Sequence, residues 1–171
     1  MLLRWVPVLG LLSACATGPL APKPAAMATL APTQGQTVNG DVSFRVMGDH
    51  IEAHVRLVGL PPNGEHGFHV HEKGDCNSAD GMSAGGHFNP LSLPHGPQQG
   101  PHHAGDMSNL KADASGSVDA RLMLHGVTLG SGATNLIGRS LIVHAKPDDY
   151  TTQPTGNSGA RLACGVIIAR S

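Results

Sequence analysis

His69 and His71 flank a single valine in the run GFHVHEKGDC, residues 67–76. In an extended chain, residues two apart project to one side, so both imidazoles can reach a common ion while Phe68 and Val70 face the other way. More ligand-capable side chains follow: His87, His95, His103 and Asp106, spaced 8, 8 and 3 residues apart in Gly- and Pro-rich chain that can bend around a cation. His144 stands in another apolar run, LIVHA, where an imidazole is either a hydrogen-bonded core group or a ligand. Together these side chains exceed the needs of one ion. Three histidines with an aspartate suit tetrahedral zinc, whereas an all-imidazole set of flattened geometry suits copper(II). Two four-coordinate ions need one position more than these side chains offer singly, and an imidazole deprotonated at both nitrogens supplies it by bridging. His87, lying between the two groups, is the natural bridge.

The elements that must position these residues read as strands. Aromatic content is 3%, while 23 Gly and 13 Pro punctuate the chain, which suits many short strands and turns better than helices. Val42, Phe44 and Val46 share one face, then Ile51, Ala53, Val55 and Leu57 share another, with Gly48-Asp49 as the turn of a hairpin. Further strands are expected at 67–71, 117–124, 140–145 and 163–169, each bounded by Gly, Pro, Asn or Asp. Residues 72–107 and 146–161 lack periodicity and are long enough to be functional loops. The first, with its histidines and few apolar anchors, needs a metal or a disulfide to order it. A chain of 171 residues fits one domain, and 11 Lys+Arg against 12 Asp+Glu leaves no basic field to recruit nucleic acid.

At the N-terminus Arg4 and the apolar WVPVLGLLSA form a segment too short to span a bilayer. Leu12-Ser13-Ala14-Cys15 resembles the bacterial lipoprotein signal, which implies a signal peptide over 1–14 and lipidation of Cys15. An ordinary secretory signal cut further along is the rival reading. Residues 15–35, rich in Pro and Ala and almost uncharged, read as a lipid-anchored tether, leaving 36–171 as the folded domain. Either signal exports the chain to the periplasm or cell envelope, and Ala16 after Cys15 implies outer-membrane sorting by the same resemblance. Cys76 and Cys164 then remain, as a bridge or as two free thiols; neither has a second cysteine at zinc-finger spacing.

The blocks GFHVHEKGDC, GGHFNP, HHAGDM, LIVHAKPDD and GARLACGVI resemble, in that order, those of copper-zinc superoxide dismutases, over about residues 36–171. The resemblance implies an all-β fold: an eight-stranded antiparallel Greek-key β-barrel or flattened, immunoglobulin-like sandwich with two long functional loops. It implies one copper per subunit on His69, His71, His87 and His144, and one zinc on His87, His95, His103 and Asp106. It also implies a disulfide between Cys76 and Cys164, an Asp148 carboxylate that accepts hydrogen bonds from His69 and His95, and Arg161 as an anion guide beside copper. The implied reaction is dismutation of superoxide to oxygen and hydrogen peroxide, with zinc in a structural role and His87 carrying a proton. Two divalent ions, less an imidazolate and Asp106, leave about +2 of charge to attract a small anion. Charges are few in 146–161, so steering comes from elsewhere or is weaker.

Family spacing selects His103 over His102, which is expected to face solvent. His50, His54, His66 and His125 match no ligand position and read as surface or strand histidines, and Met82 and Met107 as packing. A non-catalytic periplasmic copper-buffering protein on the same fold is the alternative function. Monomer and homodimer both stay open, with the membrane as partner through the anchor alone.

Overall fold

The computed structural model describes residues 23–170; the expected signal segment, Cys15 and the first part of the tether lie outside them. Ten strands follow one another: β1 (Ala26–Pro32), β2 (Asn39–Met47), β3 (His50–Val58), β4 (Glu65–His66), β5 (Phe68–His71), β6 (Leu110–Lys111), β7 (Val118–Leu124), β8 (Ser140–His144), β9 (Arg161–Val166) and β10 (Ile168–Ala169). A 3-10 turn at Met82–Ala84 is the sole helical element among the described residues. The main sheet has eight strands in the order β5-β8-β9-β1-β2-β3-β7, with β10 also on β1, and a ribbon of β4 and β6 stands beside it. Every strand pairing is antiparallel. The curled antiparallel sheet is the Greek-key barrel expected.

The hairpin read from alternation is β2–β3, in register from Asn39↔Val58 to Met47↔His50 around the Gly48-Asp49 turn. Strand β1 corrects the expected tether, which was to run to residue 35. From Ala26 the chain is a strand paired with β2, β9 and β10. Ala26, Ala28 and Leu30 point inward and are fully or almost fully buried. Alanine is a weak strand former, so a strand whose inward positions are mostly alanine carries little periodic signal. The core is closed by Phe44 and Phe68 with Leu30, Leu57, Leu136, Leu141 and Ile167, and each fully buried large side chain is worth roughly 1.5–3 kcal/mol.

The loop between β5 and β6 lies back along β5. Val70 N–H donates to the Gly105 carbonyl (2.8 Å), Phe88 N–H to the Val70 carbonyl (2.9 Å) and Gly105 N–H to the Phe88 carbonyl (2.9 Å). Backbone presses so closely on Gly105 that a Cβ there would collide with the Val70 carbonyl. Cys76 near the loop's start and Cys164 on β9 form a disulfide, Cα–Cα 5.7 Å, which ties the loop to the sheet.

Candidate metal centre

All seven side chains singled out above are buried, in two adjoining groups that share one member. His69, His71, His87 and His144 form the first, and His87, His95, His103 and Asp106 the second; in each, the ligand-capable atoms lie within 4.8 Å of one another. β5 supplies His69 and His71, the end of β8 supplies His144, and the long loop supplies the rest. Isolated bridges His69↔Asp106 and His71↔His87 lay the loop antiparallel to β5, bringing the two sets together.

Hydrogen bonds orient the rings of His69, His71, His95 and His144 by the nitrogen turned away from the group, as is usual for ligating histidines. His71 Nδ1 faces the Gly85 carbonyl (2.9 Å) and His144 Nδ1 the Gly159 carbonyl (3.3 Å), which leaves their Nε2 atoms 3.4 Å apart. His69 Nε2 and His95 Nε2 bind opposite oxygens of Asp148, both at 2.9 Å. His87 Nδ1 faces Asp106 Oδ1 (2.8 Å), and that oxygen is 3.0 Å from His95 Nδ1 and 3.4 Å from His103 Nδ1. Asp106 Oδ2 accepts from the backbone N–H of His103 (2.9 Å) and Gly96 (3.2 Å). His69 Nδ1 and His87 Nε2 are left buried without a hydrogen-bond partner, whereas His95 Nδ1 and His103 Nδ1 face the Asp106 carboxylate. Stranding buried imidazole nitrogens is costly, and a cation held by the first group removes that cost, while the Asp106 carboxylate among the His95 and His103 nitrogens suits a second. The residues therefore fit two metal ions, His87 turning Nδ1 to one group and Nε2 to the other.

Burial holds the first group neutral, as metal ligation requires. It pushes His144 down to about 3, with nearby His69 adding to the shift, and His87 down to about 4. It also takes His71 well below its ordinary value, with His87 adding to the effect. For His95 burial acts the same way but is outweighed by hydrogen bonds to Asp106 and Asp148, which raise it to about 9. Burial would raise both aspartates, yet the bonds from His103, His87 and His95 to Asp106, and from His69 and His95 to Asp148, hold them far below the usual carboxylate range.

Arg161, at the start of β9, donates to the Gly81 carbonyl (2.8 Å) and the Gly85 carbonyl (2.6 Å). Gly85 thus receives both Arg161 and His71, fixing a guanidinium beside the first group. Several supporting residues left no mark in the sequence reading. His66, read as a surface or strand histidine, is buried, with Nδ1 2.9 Å from the His144 carbonyl. Gln153 clamps the His95 backbone, accepting from its N–H (2.9 Å) and donating to its carbonyl (2.8 Å). Asn109 grips Asp148 likewise, accepting from its N–H (2.8 Å) and donating to its carbonyl (2.9 Å). These contacts run to backbone, so no pattern of residue types announces them. His102 joins neither group and is half-buried, its Nδ1 2.7 Å from the Gly100 carbonyl. Met107 packs in the core as expected, whereas Met82 is exposed.

A barrel carrying a four-histidine group and a three-histidine, one-aspartate group that share a histidine defines a two-metal protein built for one borderline-soft pair of ions. The profile of the family described as copper/zinc superoxide dismutase (SODC) matches residues 38–167. The chain is 40% identical to superoxide dismutase [Cu-Zn] 2 of Aquifex aeolicus (strain VF5) over 148 residues, 83% of this chain and 85% of the relative. It is 40% identical to the extracellular superoxide dismutase [Cu-Zn] of Drosophila melanogaster over 139 residues, 76% of this chain and 75% of the relative. Among solved structures it resembles a double mutant of a SOD-like protein from Bacillus subtilis, with TM-score 0.76 and 39% identity over 84% of this chain and 97% of that one. The chain belongs to the copper/zinc superoxide dismutase family. It is an oxidoreductase that dismutates superoxide with one copper and one zinc.

Proposed function

We propose that His69, His71, His87 and His144 hold the copper, that His87, His95, His103 and Asp106 hold the zinc, and that His87 joins them. The observation that carries this assignment is the gathering of ligand-capable atoms into two adjoining groups, each within 4.8 Å, with His87 the member common to both. When bound, copper supplies one-electron redox chemistry, and zinc supplies charge and fixed geometry without redox. Around them, this chain's residues bind, orient and move protons.

Asp148 holds the His69 and His95 rings from one carboxylate, so the two groups keep a fixed mutual orientation. His87 Nε2, buried between the groups, would hold a proton for the peroxide product only while it is not ligating copper. Arg161 acts as guide and docking donor for the superoxide anion. Its guanidinium is planar and permanently charged, and two loop carbonyls spend part of its donor set to fix its position. The disulfide holds that geometry from three residues away on β9.

The chain works outside the cytoplasm, in the cell envelope. The Cys76–Cys164 disulfide supports this, as does the extracellular naming of the Drosophila relative. In this reading residues 1–14 are a lipoprotein signal, Cys15 carries the lipid at the outer membrane, and the tether is shortened to about residues 15–25 by β1. The assignment is tested by His144→Ala, which should lose copper and activity while retaining zinc. Full activity in that variant refutes the copper set.

A further inference from the structure

The barrel's outer face carries a second grouping of metal-capable side chains, on strands that contribute nothing to the buried centre. Met47 ends β2 and His50 begins β3, and the two are cross-strand partners. Ile51 pairs with Leu124 on β7, so the next register step sets His50 beside His125, and their ring centroids are 5.5 Å apart. Met123 lies two residues before His125, on the same face and diagonal to His50. Ile51, Ala53 and Leu124 fill the core from the alternate positions, so Met47, His50, Met123 and His125 stand outward.

Two features mark this as more than a scatter of surface residues. The His50–His125 separation falls within the 4.0–6.3 Å span of the histidine pairs that share a buried group. His50 Nδ1 also faces the carboxylate of Asp49 at 3.0 Å, the outer partner that fixes the ring of a ligating histidine and leaves Nε2 for the ion. Farther along the same face, ion pairs take over: Arg121–Glu52 at 2.6 Å, Arg45–Glu52 at 3.4 Å and His54–Asp119 at 2.6 Å. At this end two thioethers are exposed on the outward face, Met47 at 36% and Met123 at 63%.

We propose that Met47, His50, Met123 and His125 form a copper(I) site on the outer face of β2, β3 and β7, separate from the buried pair. Thioether sulfur is a soft donor that selects copper(I), imidazole accepts it, and the hard cations magnesium and calcium are disfavoured by the same set. Copper reduced outside the cytoplasm is the chemical class of ligand that this site takes.

The test uses the full chain with its buried sites filled by copper and zinc, titrated anaerobically with copper(I) buffered by bicinchoninate. One further equivalent of copper(I) should bind, with sulfur in its X-ray absorption spectrum. His50→Gln should weaken that binding by more than about tenfold, the loss that even an outer partner of a metal site produces. Met47→Leu with Met123→Leu should weaken it and remove the sulfur signal, with superoxide turnover unchanged because neither side chain touches the buried centre. Three results would overturn the site: no equivalent beyond the filled pair, full binding in the variant lacking all four side chains, or a double leucine variant that binds as the parent does.

Discussion

Replacing Asp148 by asparagine keeps its shape, removes its charge and takes away one of two acceptor oxygens. His69 and His95 each place Nε2 2.9 Å from a different oxygen of that carboxylate, so one of the two rings must lose its partner. Loss of such an outer partner costs about 10–100-fold in metal affinity, or ~1.4–2.7 kcal/mol. The backbone decides which ion suffers. His69 is in β5, paired with Ile142 of β8, and its ring position is set by the sheet. His95 is in a loop, where Gln153 and Asp148 are its anchors. Zinc should therefore weaken by the full 10–100-fold and copper by much less. Competitive dialysis against a chelator, followed by metal analysis of the retained protein, measures both. Gly156→Ala provides an independent route, since a Cβ there collides with Asp148 and approaches His95 Nε2, at a φ of +64° that already favours glycine. Unchanged zinc affinity in Asp148→Asn, or copper lost ahead of zinc, would show that Asp148 does not anchor His95 for zinc.

Arg161→Gln should lower the second-order rate with superoxide about tenfold, ~1.4 kcal/mol, and flatten its dependence on ionic strength; stopped-flow decay at two salt concentrations checks this. Replacing Cys76 and Cys164 by serine should cost about 4.6 kcal/mol of stability for a sequence separation of 88, read from denaturant midpoints with metals bound. In the metal-free protein His87 and His144 are held down to about 4 and 3, so below 6.5 the unfolded chain takes up protons that the folded one refuses. Stability should fall as pH drops from 6.5 toward 4. His95 has the opposite sign: raised to about 9, its contribution is full below 6.5 and fades as pH rises through 9. Denaturant midpoints of the metal-free protein at pH 4.5, 6.5 and 8.5 should peak in the middle, and a midpoint highest at 4.5 would contradict the assignment.

The seven ligand-capable side chains were legible because metal chemistry restricts residue type, and His and Asp at strand and loop spacings stand out from an otherwise apolar, glycine-rich chain. The hairpin of β2 and β3 was legible because one of its faces is apolar and the period of two follows. Strand β1 was hidden since alanines fill its inward positions, and proline at its end read as tether. His66, Asn109 and Gln153 were hidden for another reason. Each acts on backbone groups of distant residues, and such contacts require that side chain in that place but impose no spacing. The outer grouping of His50, His125, Met47 and Met123 becomes visible only when register sets three strands side by side.

This histidine-joined pair of sites turns over superoxide rather than storing metal. Superoxide decay followed by stopped-flow absorbance, on protein whose copper and zinc content has been measured, tests it directly. One copper and one zinc per chain should accelerate decay in proportion to protein concentration, with acceleration lost on removing copper and restored on adding it back. Tightly bound copper and zinc with decay no faster than in buffer would instead identify a copper-buffering protein on the same barrel.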